Sequence, residues 1–184
     1  MVIQKNGTNS NVVASLFLKK GEIVILPTDT VYGFSGIVPD SKQRIFEIKR
    51  RENTKELISL ISEPSDIFKY TDTPIPDFLF KLWPAPLTLI VKEKKSAESL
   101  AFRCPDDEWL RSVIKKTGQP IYSTSVNYSG FPVLTEIEAI KREFEDKTAL
   151  IVDGGILCGA SSTIISLLEE KPIIIRTGKL DISV

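Results

Sequence analysis

Short apolar runs separated by amphipathic stretches decide most of what this chain can become. "EIVIL", "ELISLI", "LTLIVKE", "SLAFR", "PIYSTS", "ALIVDGG", "STIISLL" and "PIIIRTG" are all of strand length. Helical segments lie between them. "NVVASLFLKKG" has Ser10 or Asn11 as N-cap and Gly21 as its stop, and "SKQRIFEIKRR" has Ser41 as cap and cations in its last turn. "PDFLFKLWP" is a short helix ended by Pro84. "DDEWLRSVIKKTG" opens on acids and closes on lysines, as the helix dipole favours, and "TEIEAIKREFE" is a further helix. "LTLIVKE" and "SLAFR", joined by a lysine-rich link, form a hairpin. Strands and helices alternate early, and strands cluster late. The pattern predicts an α/β domain with a mixed sheet rather than a purely parallel one. The 184 residues hold no repeat, low-complexity tract or linker, so a single domain over 1–184 is expected.

Composition removes several chemistries. The chain has no histidine, which excludes Ser-His and Cys-His nucleophile pairs and histidine-ligated metals. Cys104 and Cys158 lie far apart and form no C-x-x-C motif, so a reducing cytoplasm is expected and both read as small core residues. Lys and Arg number 24, as do Asp and Glu, so any basic surface is local. No apolar run reaches membrane-span length, and the N-terminus has no signal-peptide core. A soluble intracellular protein without membrane association is expected.

Polar residues gather behind the strands. "PTDTVYG", "STSVNYSG", "GASST" and "RTG" each follow or flank one, and "KRRENTK" leads from a helix into one. Strand ends are where open α/β sheets place ligands. Hydroxyls, an asparagine and the cations Lys49, Arg50, Arg51 and Lys55 suit phosphate, carboxylate or ribose. A plainer reading stands beside each. The cations equally suit a solvated helix end, "PTDT" and "NYSG" ordinary turns, and "DGG" a tight turn. Trp83 and Trp109 read as packing, and "DDE" at 106–108 as a helix start. Neither G-x-x-x-x-G-K-[ST] nor G-x-G-x-x-G is present. The residues alone reach an α/β domain that binds a small anion, with a nucleotide as one candidate.

The motifs in order go further. "LPTDTVYGFSG", "IFEIKRR" with Lys49 and Arg51 as K-x-R, "WPAPLTLIV", "LAFRCPDDEWL", "STSVNYSG", "GASSTII" and "IIIRTG" resemble, in sequence order, the signature segments of the YrdC/Sua5 family, the L-threonylcarbamoyladenylate synthases. The resemblance covers about residues 10–178. It implies a twisted mixed β-sheet with flanking helices and a positively lined concave face. It implies a reaction in which L-threonine, bicarbonate and ATP, with Mg²⁺, give threonylcarbamoyl-AMP and pyrophosphate, with no tightly bound cofactor. That product would pass to a transferase complex for the N6-threonylcarbamoyladenosine modification of tRNA. The chain stops soon after R-x-G, which resembles the family's short form.

By the same resemblance, Lys49 and Arg51 are the catalytic cations. Threonine is held near Thr30, Arg103, Ser123 and Ser162, with Tyr32 shaping its pocket. ATP meets Arg51, Lys55, Ser99, Ser125, Asn127 and Arg176, while Lys49 and Asn127 complete the wall. Some positions depart from the family pattern. Glu52 and Glu56 replace prolines, Leu60 stands where many members have a histidine near threonine, Val126 replaces alanine, and Asp107 replaces a histidine. Two alternatives remain open. One is a double-stranded RNA or tRNA-binding module, which neutral net charge weakens; weak tRNA contact is compatible with either function. The other is a paralogue doing related carbamoyl-adenylate chemistry.

Overall fold

The computed structural model describes residues 1–50, 56–96 and 98–182. Among the described residues ten strands form one sheet. They are β1 (Val2–Gln4), β2 (Val24–Leu26), β3 (Gly33–Ile37), β4 (Ile58–Leu60), β5 (Leu87–Lys92), β6 (Ser99–Arg103), β7 (Ile121–Ser125), β8 (Leu150–Asp153), β9 (Thr163–Ser166) and β10 (Ile173–Arg176). Their order is β1-β8-β2-β3-β7-β4-β6-β5-β9-β10. β1–β8, β2–β8, β4–β6 and β5–β9 are parallel, and the other neighbours are antiparallel. The expected mixed sheet and the β5–β6 hairpin are present. Helices α1 (Ser10–Lys19), α2 (Lys42–Lys49), α3 (Asp77–Phe80), α4 (Glu108–Thr117) and α5 (Ile137–Phe144), with a 3₁₀ turn at Pro64–Lys69, cover it.

The start of α1 differs from expectation, and α2 starts where expected but without a side-chain cap bond. Asn9, in the left-handed region at φ 57°, is the N-cap of α1, and Ser10 instead donates its hydroxyl to Lys5 O. Ser41 occupies the cap position of α2, but its hydroxyl turns back to Ile37 O rather than to the helix. For α4 the acids do act as read: Asp107 accepts from Leu110 N at 3.0 Å. Gly118, at φ 89°, stops that helix in a conformation few other residues reach cheaply. Cys104 is buried as expected, whereas Cys158 is exposed.

Alternation along the strands sorts the core by face. In β2, Ile25 joins Phe34, Phe46 and Phe144 beneath α2 and α5, while Val24 and Leu26 join Leu18, Leu110 and Val113 beneath α1 and α4. In β5, Leu87, Leu89 and Val91 pack with Phe102, Trp83 and Ile165 beneath α3 and the 3₁₀ turn. Thr88 and Ile90 must then point the other way. The ladder aligns Thr88 with Arg103, Arg103 with Leu60, and Leu60 with Ile121, so these residues share a face. α1 and α4 pack on that face only over the end holding Leu60 and Ile121. The remainder, on β4, β5, β6, β9 and the ends of β3 and β7, forms a concave surface.

Candidate functional site

That surface is a cleft of about 600 Å³. Hydroxyls of Thr28, Thr30, Thr88, Ser123, Ser125, Ser161 and Ser162 line it, with Ile58, Ile90, Ile164 and Ile175 as an apolar wall. Arg103 and Arg176 are its lining cations and Glu56 its lining acid among the described residues. Such a mixture suits a ligand with an apolar body, several hydrogen-bonding groups and negative charge.

The "PTDT" segment is organised around one hydroxyl. Thr28 Oγ1 donates to Val31 O at 2.7 Å and lies 2.9 Å from Thr30 Oγ1. It also accepts from the backbone N–H groups of Thr30 and Val31 at 3.1 and 3.2 Å. A threonine two residues before another thereby closes a side-chain turn that sets where Thr30 points. Arg103, at the end of β6 and 5% exposed, reaches this turn. Its Nη1 donates to Thr30 Oγ1 at 3.1 Å, and its Nη2 pairs with the Asp29 carboxylate. The other Asp29 oxygen accepts from Asp106 N at 3.2 Å. Burial pushes the Arg103 guanidinium down from its ordinary value, and Asp29 pushes it back up. Arginine nonetheless stays charged in proteins. Its Nε is buried without a partner among the described residues, a costly condition for a charged donor.

The opposite rim is built on β9. Ser162 Oγ lies 2.8 Å from Thr88 Oγ1, and Arg176 clamps Ser162 O through Nε and Nη2 at 3.0 and 2.8 Å. The charge of Arg176 opposes that of Arg103, a repulsion that an anion between them would relieve. Two glycines allow backbone to approach here. A Cβ on Gly159 would stand 2.7 Å from Thr30 O, and one on Gly178 would overlap the backbone of Ser161 and Ser162. Tyr32 is fully buried; its hydroxyl donates to Gly155 O at 2.6 Å and accepts from Gly154 N at 2.9 Å, tying the cleft floor to the "DGG" turn.

Of the residues expected at the site, Thr30, Arg103, Ser123, Ser125, Ser162 and Arg176 line this cleft together. Ser99 lies two residues before Ala101 on β6, so it shares the cleft face of that strand, but it is not part of the lining. Lys49 and Asn127 sit behind the lining, bonded to each other and to the end of β7. Arg51, Lys55 and Glu52 lie outside the described residues. Glu56 lines the mouth and is paired with Lys42 at 3.0 Å. Leu60 stands beside Arg103 in the ladder but is buried against α1 and α4, away from the lining. Val126 is fully buried in the core beneath α2 and α5, and Asp107 caps α4 while bonding Lys5 at 2.5 Å. Sequence reading expected the hydroxyls of "PTDTVYG", Thr28 among them, at the pocket; it flagged the segments holding Asp29 and Ser161 without naming those residues, and it missed Thr88. The alternation of "LTLIV", which sets Thr88 and Ile90 against Leu87, Leu89 and Val91, could have revealed it.

The geometry defines an α/β protein with a hydroxyl-lined, two-arginine cleft on an open sheet face. The model of Sua5, YciO and YrdC proteins, described as "Telomere recombination", matches residues 16–178, and the chain belongs to that family. It is 33% identical over 181 residues to threonylcarbamoyl-AMP synthase of Bacillus subtilis (strain 168), covering 90% of this chain and 52% of that protein. It superposes on the structure of Pyrococcus abyssi Sua5 complexed with L-threonine with a TM-score of 0.86 at 29% identity, covering 97% of this chain and 57% of the other. Escherichia coli YciO shares the fold, with a TM-score of 0.84 at 22% identity over 98% of this chain and 96% of that one. The chain thus spans about half the length of the first two relatives. No helix among the described residues is long and apolar enough to cross a membrane.

Proposed function

We propose that this chain carries the L-threonylcarbamoyladenylate synthase activity, joining L-threonine, bicarbonate and ATP into threonylcarbamoyl-AMP with release of pyrophosphate. One observation carries the reading: two arginines, Arg103 and Arg176, line one hydroxyl-rich cleft, with Arg103 Nη1 held on Thr30. Ligand carboxylate and phosphate groups are the natural partners for such cations. The P. abyssi relative solved with L-threonine supports the amino acid as the source of the carboxylate.

The chemistry suits the residues. Bicarbonate takes up a proton and loses water to give CO₂, and the neutral threonine amine adds to that carbon, releasing a proton in turn, so that amine and bicarbonate together give a carbamate and water. A carbamate oxygen then attacks the α-phosphorus of ATP, and the bond to the β-phosphate oxygen breaks as pyrophosphate leaves. The carbamate is already anionic, so no side-chain base is required at that step. What the step needs is alignment of two anions and neutralisation of charge. Arg103 and Thr30 would hold the amino acid with Ser123 and Ser162, while Arg176 and Ser125 would serve ATP. Arg51 and Lys55 are assigned to its phosphates by motif alone, as are Ser99 and Asn127 to ATP. Mg²⁺ would arrive on the nucleotide, its phosphates supplying ligands. The adenylate is diffusible, so the transferase that modifies tRNA would act afterwards.

The test is an omission series. Purified protein with Mg²⁺ should release pyrophosphate only when ATP, threonine and bicarbonate are all present, and without RNA. Release that ignores threonine overturns the substrate assignment, and an absolute need for tRNA overturns the diffusible product. No release together with tight, salt-sensitive RNA binding would establish a binding module instead.

A further inference from the structure

Behind the lining, the end of α2 is knotted to the loop after β7. Lys49, 3% exposed, donates from Nζ to Ser125 O, to Asn127 O at 3.0 Å and to Asn127 Oδ1 at 2.9 Å. Ser129 N returns a bond to Lys49 O at 2.9 Å, and the Arg50 guanidinium stacks 4.6 Å above the Tyr128 ring. The Asn127 amide has one consistent orientation. Its Nδ2 faces the carbonyls of Tyr128 and Phe131 at 3.0 and 2.7 Å, which only accept, so Oδ1 faces the ammonium, which only donates. Ser125 Oγ lies 2.7 Å from that same Oδ1. An amide oxygen has no proton to give, so the Ser125 hydroxyl spends its only proton on Asn127. Toward the cleft, which it lines, Ser125 presents lone pairs.

We propose that Lys49 and Asn127 act as positioning residues that hold Ser125 as a hydrogen-bond acceptor, so that this part of the cleft takes a neutral donor of the ligand, a hydroxyl or amino group, and not a phosphate oxygen. Because the proposal rests on the reading of the cleft as an ATP site, that donor belongs to the ribose or the base. A phosphate oxygen at the same place would meet only lone pairs and be repelled. Lys49 thereby contributes to binding through Ser125 without touching the ligand.

Calorimetric titration of ATP and of inorganic tripolyphosphate tests this on the wild type, Ser125→Ala, Lys49→Met and the double variant. Ser125→Ala, a surface truncation that leaves the knot intact, should weaken ATP about tenfold, the scale of one hydrogen bond to a neutral group. Tripolyphosphate affinity should stay within about twofold. Lys49→Met should match the loss, and the double variant should be no worse than either single one, because the two residues act in series. Amide hydrogen exchange adds a readout free of ligand: Ser129 N–H should exchange faster in Lys49→Met while the amides of β2 do not change. Equal losses for ATP and tripolyphosphate in Ser125→Ala would overturn the acceptor assignment. Additive losses in the double variant would overturn the relay. A wild type without measurable ATP affinity would overturn the ATP reading along with this one, whereas equal losses on a wild type that binds ATP leave that reading standing.

Discussion

Arg103, at the end of β6, and Lys49, at the end of α2, are both buried cations, yet they are solved differently. Arg103 is balanced by a carboxylate, Asp29, and gives its other Nη to Thr30 on the cleft wall. Lys49 meets the oxygens of Ser125 and Asn127 behind the cleft. A planar guanidinium can pair on one edge and still present another, whereas an ammonium surrounded by carbonyls is committed to the frame. The difference teaches that a cation in a signature motif is not thereby a ligand contact. The direction of its donors decides.

The largest effect should come from breaking the paired cation. Arg103→Ala leaves Asp29 buried without its partner and should cost about 3–5 kcal/mol of stability by denaturant titration. Adding Asp29→Asn should restore much of that stability while threonine affinity stays lost. Restored affinity in the double variant would mean that Arg103 serves the frame alone, as Lys49 does. A smaller loss is expected from Thr28→Val, which keeps the shape but strips the hydroxyl that holds Thr30 and Val31. It should cost about 1–3 kcal/mol and weaken threonine more than ATP, because the turn supports Arg103 rather than the Ser125 side. Equal weakening of both ligands would show that the two sides are not separable.

The smallest effect sits between the cations. Tyr32 takes Val126 N on its backbone at 3.1 Å, beside the Lys49 loop, and bonds the glycine turn with its hydroxyl. Tyr32→Phe should cost about 1 kcal/mol at neutral pH, since water can reach the freed turn. Burial raises the Tyr32 phenol, with Asp153 adding to the shift and the Gly154 N–H bond opposing it. A raised acid favours the folded state below its unfolded pKa of about 10 and loses that advantage as pH climbs past it. The gap between the wild type and Tyr32→Phe should therefore narrow above about pH 10, as thermal melts across that range would show. A constant gap would place the hydroxyl's effect in packing.

Much of this was legible beforehand. Strands with clear apolar runs, the β5–β6 hairpin and the acidic start of α4 all follow local rules that sequence displays directly. β3 did not, because "GFSGI" begins on glycine and shows little apolar pattern, yet its four leading residues are buried between β2 and β7. Its identity comes from its neighbours. β1, three residues long, is recruited by β8 in the same way. In the site, the family resemblance pointed to Thr30, Arg103, Ser123, Ser125, Ser162 and Arg176, which the fold gathers. The same resemblance pointed to Lys49, and only the geometry shows it turned toward Ser125 O and Asn127. Asp29 was hidden for a related reason: its partner lies 74 positions away in the chain.

The strand order also sets when the cleft comes into being. Its walls draw on Thr28, Thr88, Arg103, Ser125, Ser162 and Arg176, so nearly the whole chain must be placed before any ligand can be held. β9 docks in parallel on β5, some seventy-five residues earlier, and β10 docks on β9 in turn. Pairings of such long reach close late. A chain without β9 and β10 has no second rim, and it also lacks Ile165 and Leu167 of the core beneath α3. A ligand of the cleft added early should therefore not hasten the first collapse; it should act on the closing step, once β9 and β10 have landed.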